Sequence, residues 1–186
     1  MKNKRLPIFL GIVGVVAVLG VFVLVLLNPR ELTDADYIER LVPARHFPSD
    51  SWTRKQADAE SFSRTTVELN RTEPTSLVFL DFLRFDASNP QPETALIASQ
   101  RIYDAWIANA LSSYNVSRRV KSCTFGDVRL YEYDAIIERI AYNLRYWVIP
   151  ITPVRTATLI VAVTVDNRPY FDELSSTLRP DEAACP

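Results

Sequence analysis

The sequence predicts an α+β protein, with a single N-terminal transmembrane helix followed by an antiparallel sheet covered by helices. Three observations predict this class. The 21 residues 7–27 carry no charge, patterns typical of strands and helices follow them, and those patterns come in the order β-β-α-β-β-β-β-α. We therefore divide the chain into a cytoplasmic basic flank and transmembrane anchor (1–28), a short helix and tether (29–56), an extracytoplasmic α+β domain (57–180) and an acidic tail (181–186).

The apolar run 7–27 is long enough to cross a bilayer. As a helix rising about 1.5 Å per residue it spans roughly 31 Å, the thickness of the hydrocarbon core. Lys2, Lys4 and Arg5 precede the run, whereas the residues after it are mixed in charge. We therefore expect a single-pass protein of the cell membrane with a cytoplasmic N-terminus and an external C-terminal domain. Since no small-x-small cleavage site follows the run, a retained signal-anchor is favoured over a cleaved signal peptide.

The first part of the external chain predicts a short helix, a tether and a hairpin. A capping-box-like Thr-Asp-Ala-Asp sequence opens residues 33–42, whose apolar positions have helical spacing up to Pro43. The prolines and charges of residues 43–56 predict an irregular tether. Strand patterns follow over 61–69 and 75–85, and the turn-like residues between them indicate a hairpin.

The rest of the domain predicts a helix, four strands and a second helix. Asn89 and Pro90 start a helical pattern that ends near Tyr114. Gly126 supplies a positive φ in the turn between the first two of the strands that follow. A last helix is predicted over 170–178, before Pro180. The four strand patterns cover 116–123, 128–133, 140–149 and 157–165.

Composition excludes several classes of function. Gly126 is the only glycine outside the apolar run, which excludes phosphate-binding and dinucleotide-binding glycine loops. His46 is the only histidine, and neither a nucleophile motif nor metal-ligand spacing accompanies it. Without Lys2, Lys4 and Arg5 the chain has 18 Lys and Arg against 22 Asp and Glu, a net charge of −4 that argues against nucleic acid. We therefore expect no enzyme activity, no cofactor and no metal.

Asp81 interrupts a strongly apolar strand pattern. On a strand it shares a face with Phe79 and Leu83, and a carboxylate buried there must be paired, hydrogen-bonded or protonated. Arg145, in the aromatic strand 142–147, is the candidate partner in a buried ion pair. A structural pair is favoured over a functional carboxylate, and an edge strand with Asp81 in solvent stays open.

Aromatic residues and cysteines supply two further candidate features. The aromatic side chains of the predicted strands either line a ligand groove or pack in the core, as aromatics in sheets usually do. Cys123 and Cys185, in an oxidising compartment, predict a disulfide that pins the acidic tail to the sheet. A buried free Cys123 and an intermolecular bond through Cys185 are the alternatives. The candidate groove residues are Tyr131, Tyr133, Tyr142, Tyr146 and Trp147.

The element order, Leu130-Tyr131-Glu132-Tyr133 and the closing segment 171–179 together resemble the PsbP/Mog1-like α/β sandwich family. The resemblance covers roughly residues 51–180 and rests on pattern rather than on a motif. Members of that family are mostly non-catalytic accessory subunits of photosynthetic membrane complexes, or binding adaptors. The resemblance therefore implies a binding role, but it transfers no site residue.

These observations favour a non-enzymatic, membrane-anchored extracytoplasmic module, an accessory or assembly subunit of a membrane or envelope complex. Its expected partners are the lipid bilayer, through residues 7–27, and a protein of that complex. The alternative is an extracytoplasmic small-ligand sensor or binding protein. A carboxylate-based hydrolase built on Asp81 is the third hypothesis.

Overall fold

Seven antiparallel strands form one sheet in the order β1-β2-β3-β7-β6-β5-β4. The computed structural model describes residues 32–59, 64–84, 114–137 and 139–180, and all of its elements lie in the unit that begins at Asp34. The helices are α1 (Asp34–Leu41) and α2 (Arg168–Leu178). The strands are β1 (Thr53–Ala59), β2 (Arg64–Arg71), β3 (Ser76–Arg84), β4 (Tyr114–Cys123), β5 (Gly126–Ile137), β6 (Ile140–Thr152) and β7 (Arg155–Thr164).

Burial falls from the centre of the sheet to its edge at β1. Residues 156–163 of the central strand β7 are all buried, because this strand is covered on both faces. At the β1 edge, residues 53–57 are all exposed. Arg54 and Lys55 lie on this edge strand, where charged side chains disfavour pairing with another chain.

The two faces of the sheet differ in what covers them. Residues directly opposite each other on neighbouring strands share a face, and successive residues alternate between faces. Both α-helices pack on the face that carries Phe82 and Arg145, called here the helix face. Asp34 of α1 pairs with Arg155, whose guanidinium lies over the Phe82 ring. Phe171 of α2 lies against Arg145. The opposite face, the tyrosine face, carries a buried cluster of Tyr131, Tyr133, Leu144, Tyr146, Val148, Ile160 and Ala162.

Each helix buries one side against the sheet. In α1, Tyr37, Ile38 and Leu41 are buried, and the acidic residues of the first turn and Arg40 in the last turn complement the helix dipole. In α2, the buried residues recur at helical spacing, and the helix ends at Arg179 in the left-handed conformation with φ 42°. Those buried residues of α2 are Phe171, Leu174, Ser175 and Leu178.

The predicted transmembrane helix, and with it the signal-anchor, is contradicted. In residues 32–59, 64–84, 114–137 and 139–180, no helix is long and apolar enough to cross a membrane. The described α-helices have 8 and 11 residues, whereas a crossing helix needs about 20. The apolar run 7–27 itself lies outside the described residues, as does most of the helix predicted from Asn89.

The predicted balance of sheet and helices is also wrong. The sequence predicts a sheet covered by helices, whereas the described part of the chain is mostly sheet, with two short α-helices on one face. Residues 53–56, predicted as tether, belong to β1. Residues 53–57 of this strand are all exposed and show no apolar alternation, so this part of the sequence resembles a loop. The positive φ predicted at Gly126 is confirmed, at 129°.

Candidate functional site

A polar pocket of about 320 Å³ opens between α2 and the strands β5 and β6. Glu132 and Asp134 alternate on β5 and therefore share the helix face, and Asn143 of β6 lies directly opposite Asp134. The first turn of α2 brings the remaining side chains over this part of the sheet. The residues that line this recess, called here the α2 pocket, are Glu132, Tyr133, Asp134, Asn143, Leu144, Arg168 and Phe171.

Arg145 joins the sheet to α2 beside the pocket. It lies directly opposite Glu132 on the neighbouring strand, and its Nε donates to that carboxylate. Its Nη2 donates to Asp172 Oδ1 of α2 at 3.1 Å, and its guanidinium lies 4.7 Å from the centre of the Phe171 ring. One cation thus holds two carboxylates and one ring from two different elements.

Arg168 forms the outer wall of the pocket. Its Nε donates to Asp172 Oδ2 at 3.0 Å and its Nη1 donates to Asn143 Oδ1 at 3.3 Å. The hydrogen bond that Arg168 donates to Asp172, with the negative charges of Asp172, Glu132 and Asp134, raises the pKa of Arg168, and partial burial opposes this rise. The guanidinium is therefore charged throughout the accessible pH range.

Asn143 presents a buried donor that has no acceptor. The residue is 6% exposed, and Arg168 fixes the orientation of its amide, because a guanidinium only donates and must face the oxygen. The Nδ2 group is then left without a hydrogen-bond partner in the described part of the chain. An unmet buried donor costs about 1–3 kcal/mol, which an acceptor oxygen on a ligand would offset.

The side chains of the pocket supply charged and hydrogen-bonding groups. Its polar side chains are carboxylates, an amide and a guanidinium, and Arg145 and Asp172 join Glu132 and Arg168 in one network of ion pairs. Within the described ranges no group of three His, Cys, Asp or Glu side chains could hold a metal ion. The arrangement can bind and orient a polar group of a ligand.

The structure does not bring Asp81 and Arg145 together. Asp81 is fully buried on the interior strand β3, opposite Thr66 and Thr158, so it lies neither in solvent nor on an edge. Arg145 lies opposite Val161 of the same strand β7. Positions 158 and 161 are three apart and point to opposite faces, which places Asp81 on the tyrosine face and Arg145 on the helix face.

The predicted aromatic groove is divided between the two faces. Tyr146 stacks on Tyr131 and Tyr133, with ring centroids 4.6 and 5.9 Å apart, and Tyr142 packs against the same buried cluster. Trp147, the next residue on β6, points to the helix face and is also buried. These rings therefore fill the core, and of the five only Tyr133 borders the α2 pocket.

Cys123, at the end of β4, is disulfide-bonded, which excludes the free buried thiol. Cys185 is the only other cysteine in the sequence, and it lies outside the described residues. The intramolecular bond between the two therefore stays a prediction.

Sequence reasoning missed most of the residues of the α2 pocket. The contact between Arg168 and Asp172 is predictable from the sequence, since opposite charges four residues apart meet on a helix. Glu132 and Asp134 alternate with apolar residues, which indicates only a shared face of a strand. Asn143 carries no signal of its own, because its role follows from the helix that covers it.

Comparisons with known proteins do not place the chain in a family. It matches no protein-family model, no curated protein and no solved structure. The resemblance to the PsbP/Mog1-like family consequently stays a prediction.

Proposed function

We propose that this protein is a non-enzymatic binding module that works outside the cytoplasm and recognises a polar group in the α2 pocket. The observation that carries the proposal is Asn143, a residue that lines a preformed recess and whose buried Nδ2 group has no acceptor in the described chain. Such a group destabilises the unliganded fold, and a bound acceptor would remove that cost.

The rigidity of the pocket walls supports a binding role. Arg145 ties β6 to β5 and to α2, and Arg168 ties α2 to β6. Side chains locked by such pairs lose little further freedom when a ligand arrives.

The disulfide at Cys123 supports the location. Structural disulfides form and persist in secreted, periplasmic and other oxidising environments, and they are rare in the cytosol.

The second candidate is an accessory or assembly subunit of a membrane or envelope complex, which binds a protein partner. It is favoured by three exposed apolar side chains at one end of the sheet, named together here the exposed cluster. Ile136 and Ile140 flank the turn between β5 and β6 and are each 45% exposed, and Val165, just after β7, is 40% exposed. Apolar side chains exposed at one end of a sheet can supply a protein contact site.

One set of variants tests both candidates. Asn143→Ala removes the buried donor, whereas Ile140→Ser changes the exposed cluster and leaves the pocket intact. Thermal unfolding against a panel of small polar solutes, and co-purification from the native host, would be measured for both variants and the wild type. We expect at least one solute to raise the Tm of the wild type and of Ile140→Ser but not of Asn143→Ala.

A different pattern would overturn the pocket proposal. If no solute stabilises the wild type, while Ile140→Ser loses a stoichiometric partner that Asn143→Ala retains, recognition resides in the exposed cluster. The accessory-subunit candidate would then take its place.

A further inference from the structure

We infer that the α2 pocket binds a neutral polyhydroxyl group: one sugar ring with neighbouring hydroxyls, presented either as a free sugar or as the end of a glycan. This inference rests on the proposed binding function and names its ligand class.

The charges around the pocket disfavour a charged ligand. Arg145 is held between Glu132 and Asp172, and Arg168 is bonded to Asp172. An anion would have to compete with the carboxylates of Glu132 and Asp172 for arginines that they already hold. A cation would have to compete with an arginine for Glu132 or Asp172, each of which is already paired. Either ligand must break or oppose an existing pair, and a neutral ligand avoids both penalties.

The hydrogen-bonding groups of the pocket suit hydroxyls. Asn143 Nδ2 needs an acceptor, and Arg168 has guanidinium N–H groups beyond the two that bond Asp172 and Asn143. Glu132 and Asp134 line the pocket from β5 and offer carboxylate oxygens, which only accept. A hydroxyl donates and accepts at once, so neighbouring hydroxyls can bridge the carboxylates of β5 and the donors of Asn143 and Arg168.

The size and position of the pocket fit one ring. Its volume of about 320 Å³ lies at the lower end of the range of roughly 300–1,000 Å³ found for small-ligand sites. The wall formed by Arg168 reaches solvent, because the side chain is 52% exposed. A second sugar unit would therefore continue outward past Arg168 rather than deeper into the sheet.

The test measures binding of defined probes to the full chain by isothermal titration calorimetry. The neutral probes are glucose, galactose, mannose and N-acetylglucosamine, with their methyl glycosides, and the charged probes are inorganic phosphate and putrescine. Asn143→Asp replaces the donor by an acceptor of the same shape, and Asn70→Asp makes the same change on β2, away from the pocket. Far-UV circular dichroism and Tm verify that both variants fold, and Asn143→Ala serves as the second pocket variant.

We expect at least one neutral sugar to bind the wild type and Asn70→Asp, with affinity at least tenfold lower in Asn143→Asp and Asn143→Ala.

Retained affinity for the methyl glycoside indicates recognition of a chain end, whereas its loss indicates a free sugar. If phosphate or putrescine alone binds and the Asn143 variants abolish this, the sugar inference is overturned while the binding function stands. If no probe of either class binds, or binding is unchanged in the Asn143 variants, the ligand class and the pocket are both overturned.

Discussion

Removal of the Arg145 guanidinium should lower the free energy of unfolding by about 2–3 kcal/mol. Arg145 pairs with Glu132 across β5 and β6, pairs with Asp172 of α2 at 3.1 Å, and lies 4.7 Å from the centre of the Phe171 ring. Arg145→Met keeps an unbranched apolar stem of similar length and removes only the charged head. The Glu132 side chain, which is 20% exposed, is then left on the helix face without its cation.

The magnitude follows from the three contacts. The charge-assisted bond to Glu132 is largely buried and contributes about 1.5 kcal/mol. The position over Phe171 adds about 0.5–1 kcal/mol. The bond to Asp172, whose side chain is 48% exposed, adds no more than about 0.5 kcal/mol. For a chain of this length a loss of that size lowers Tm by roughly 5–10 °C.

Urea unfolding followed by far-UV circular dichroism measures the change, with Arg119→Met as the matched control. Arg119 also pairs with a carboxylate, but it lies 3.9 Å from Asp127 and its side chain is 67% exposed. This variant should lose less than about 0.5 kcal/mol at an unchanged m-value. Equal losses in the two variants, or a loss below about 0.5 kcal/mol for Arg145→Met, would refute the reasoning. Combining Arg145→Met with Glu132→Gln should show a coupling of about 1 kcal/mol.

Three further predictions concern other parts of the fold. Burial raises the pKa of the Tyr37 hydroxyl above the usual 10.0, against the opposing charge of Arg40. Below about pH 10 the folded and unfolded states both keep this proton, so stability does not depend on it. Above that pH the unfolded state loses the proton first, and the free energy of unfolding falls. As the pH rises above about 10, the free energy of unfolding should therefore drop more steeply in the wild type than in Tyr37→Phe, and parallel curves would contradict this. Asp81→Asn should lower stability by about 1–3 kcal/mol in urea unfolding without loss of ligand or partner binding; full stability with lost binding would make Asp81 a functional residue. If Cys123 and Cys185 are joined, thiol labelling of the unfolded, unreduced protein should find no reactive thiol, and two thiols per chain would exclude the bond. Such a bond closes a loop of about 62 residues and contributes about 4 kcal/mol to stability.

The sequence predicts the strands with a buried side well and the exposed strand poorly. The pattern over 157–165 indicates β7, and the patterns over 33–42 and 170–178 indicate α1 and α2, each within a few residues. These elements bury apolar side chains at a regular spacing, which is the signal that sequence reasoning uses. Residues 53–57 of β1 have their side chains in solvent, and this part of the strand consequently shows no such signal.

The site was beyond prediction because it depends on which elements become neighbours. Strand alternation predicts that Asp81 faces the core, and its side chain is indeed buried. It does not predict that β3 pairs with β7, which separates Asp81 from Arg145 by one strand and by the thickness of the sheet. Likewise, helical spacing predicts the contact between Arg168 and Asp172, but nothing in it predicts that α2 lies over Asn143.

The order of the strands has a consequence for how the chain folds. Every neighbouring pair in the sheet is consecutive in sequence except β3 and β7, so two hairpin meanders meet along a single seam. Leu80 and Leu159 face each other across that seam, and pairing them closes a loop of about 79 residues. The hairpins can form early from local contacts, whereas the seam must wait for this slow closure, and we expect it to limit the folding rate. In stopped-flow experiments Leu80→Ala should then slow refolding more than it speeds unfolding. If it mainly speeds unfolding instead, the rate-limiting step lies in forming the meanders and not the seam.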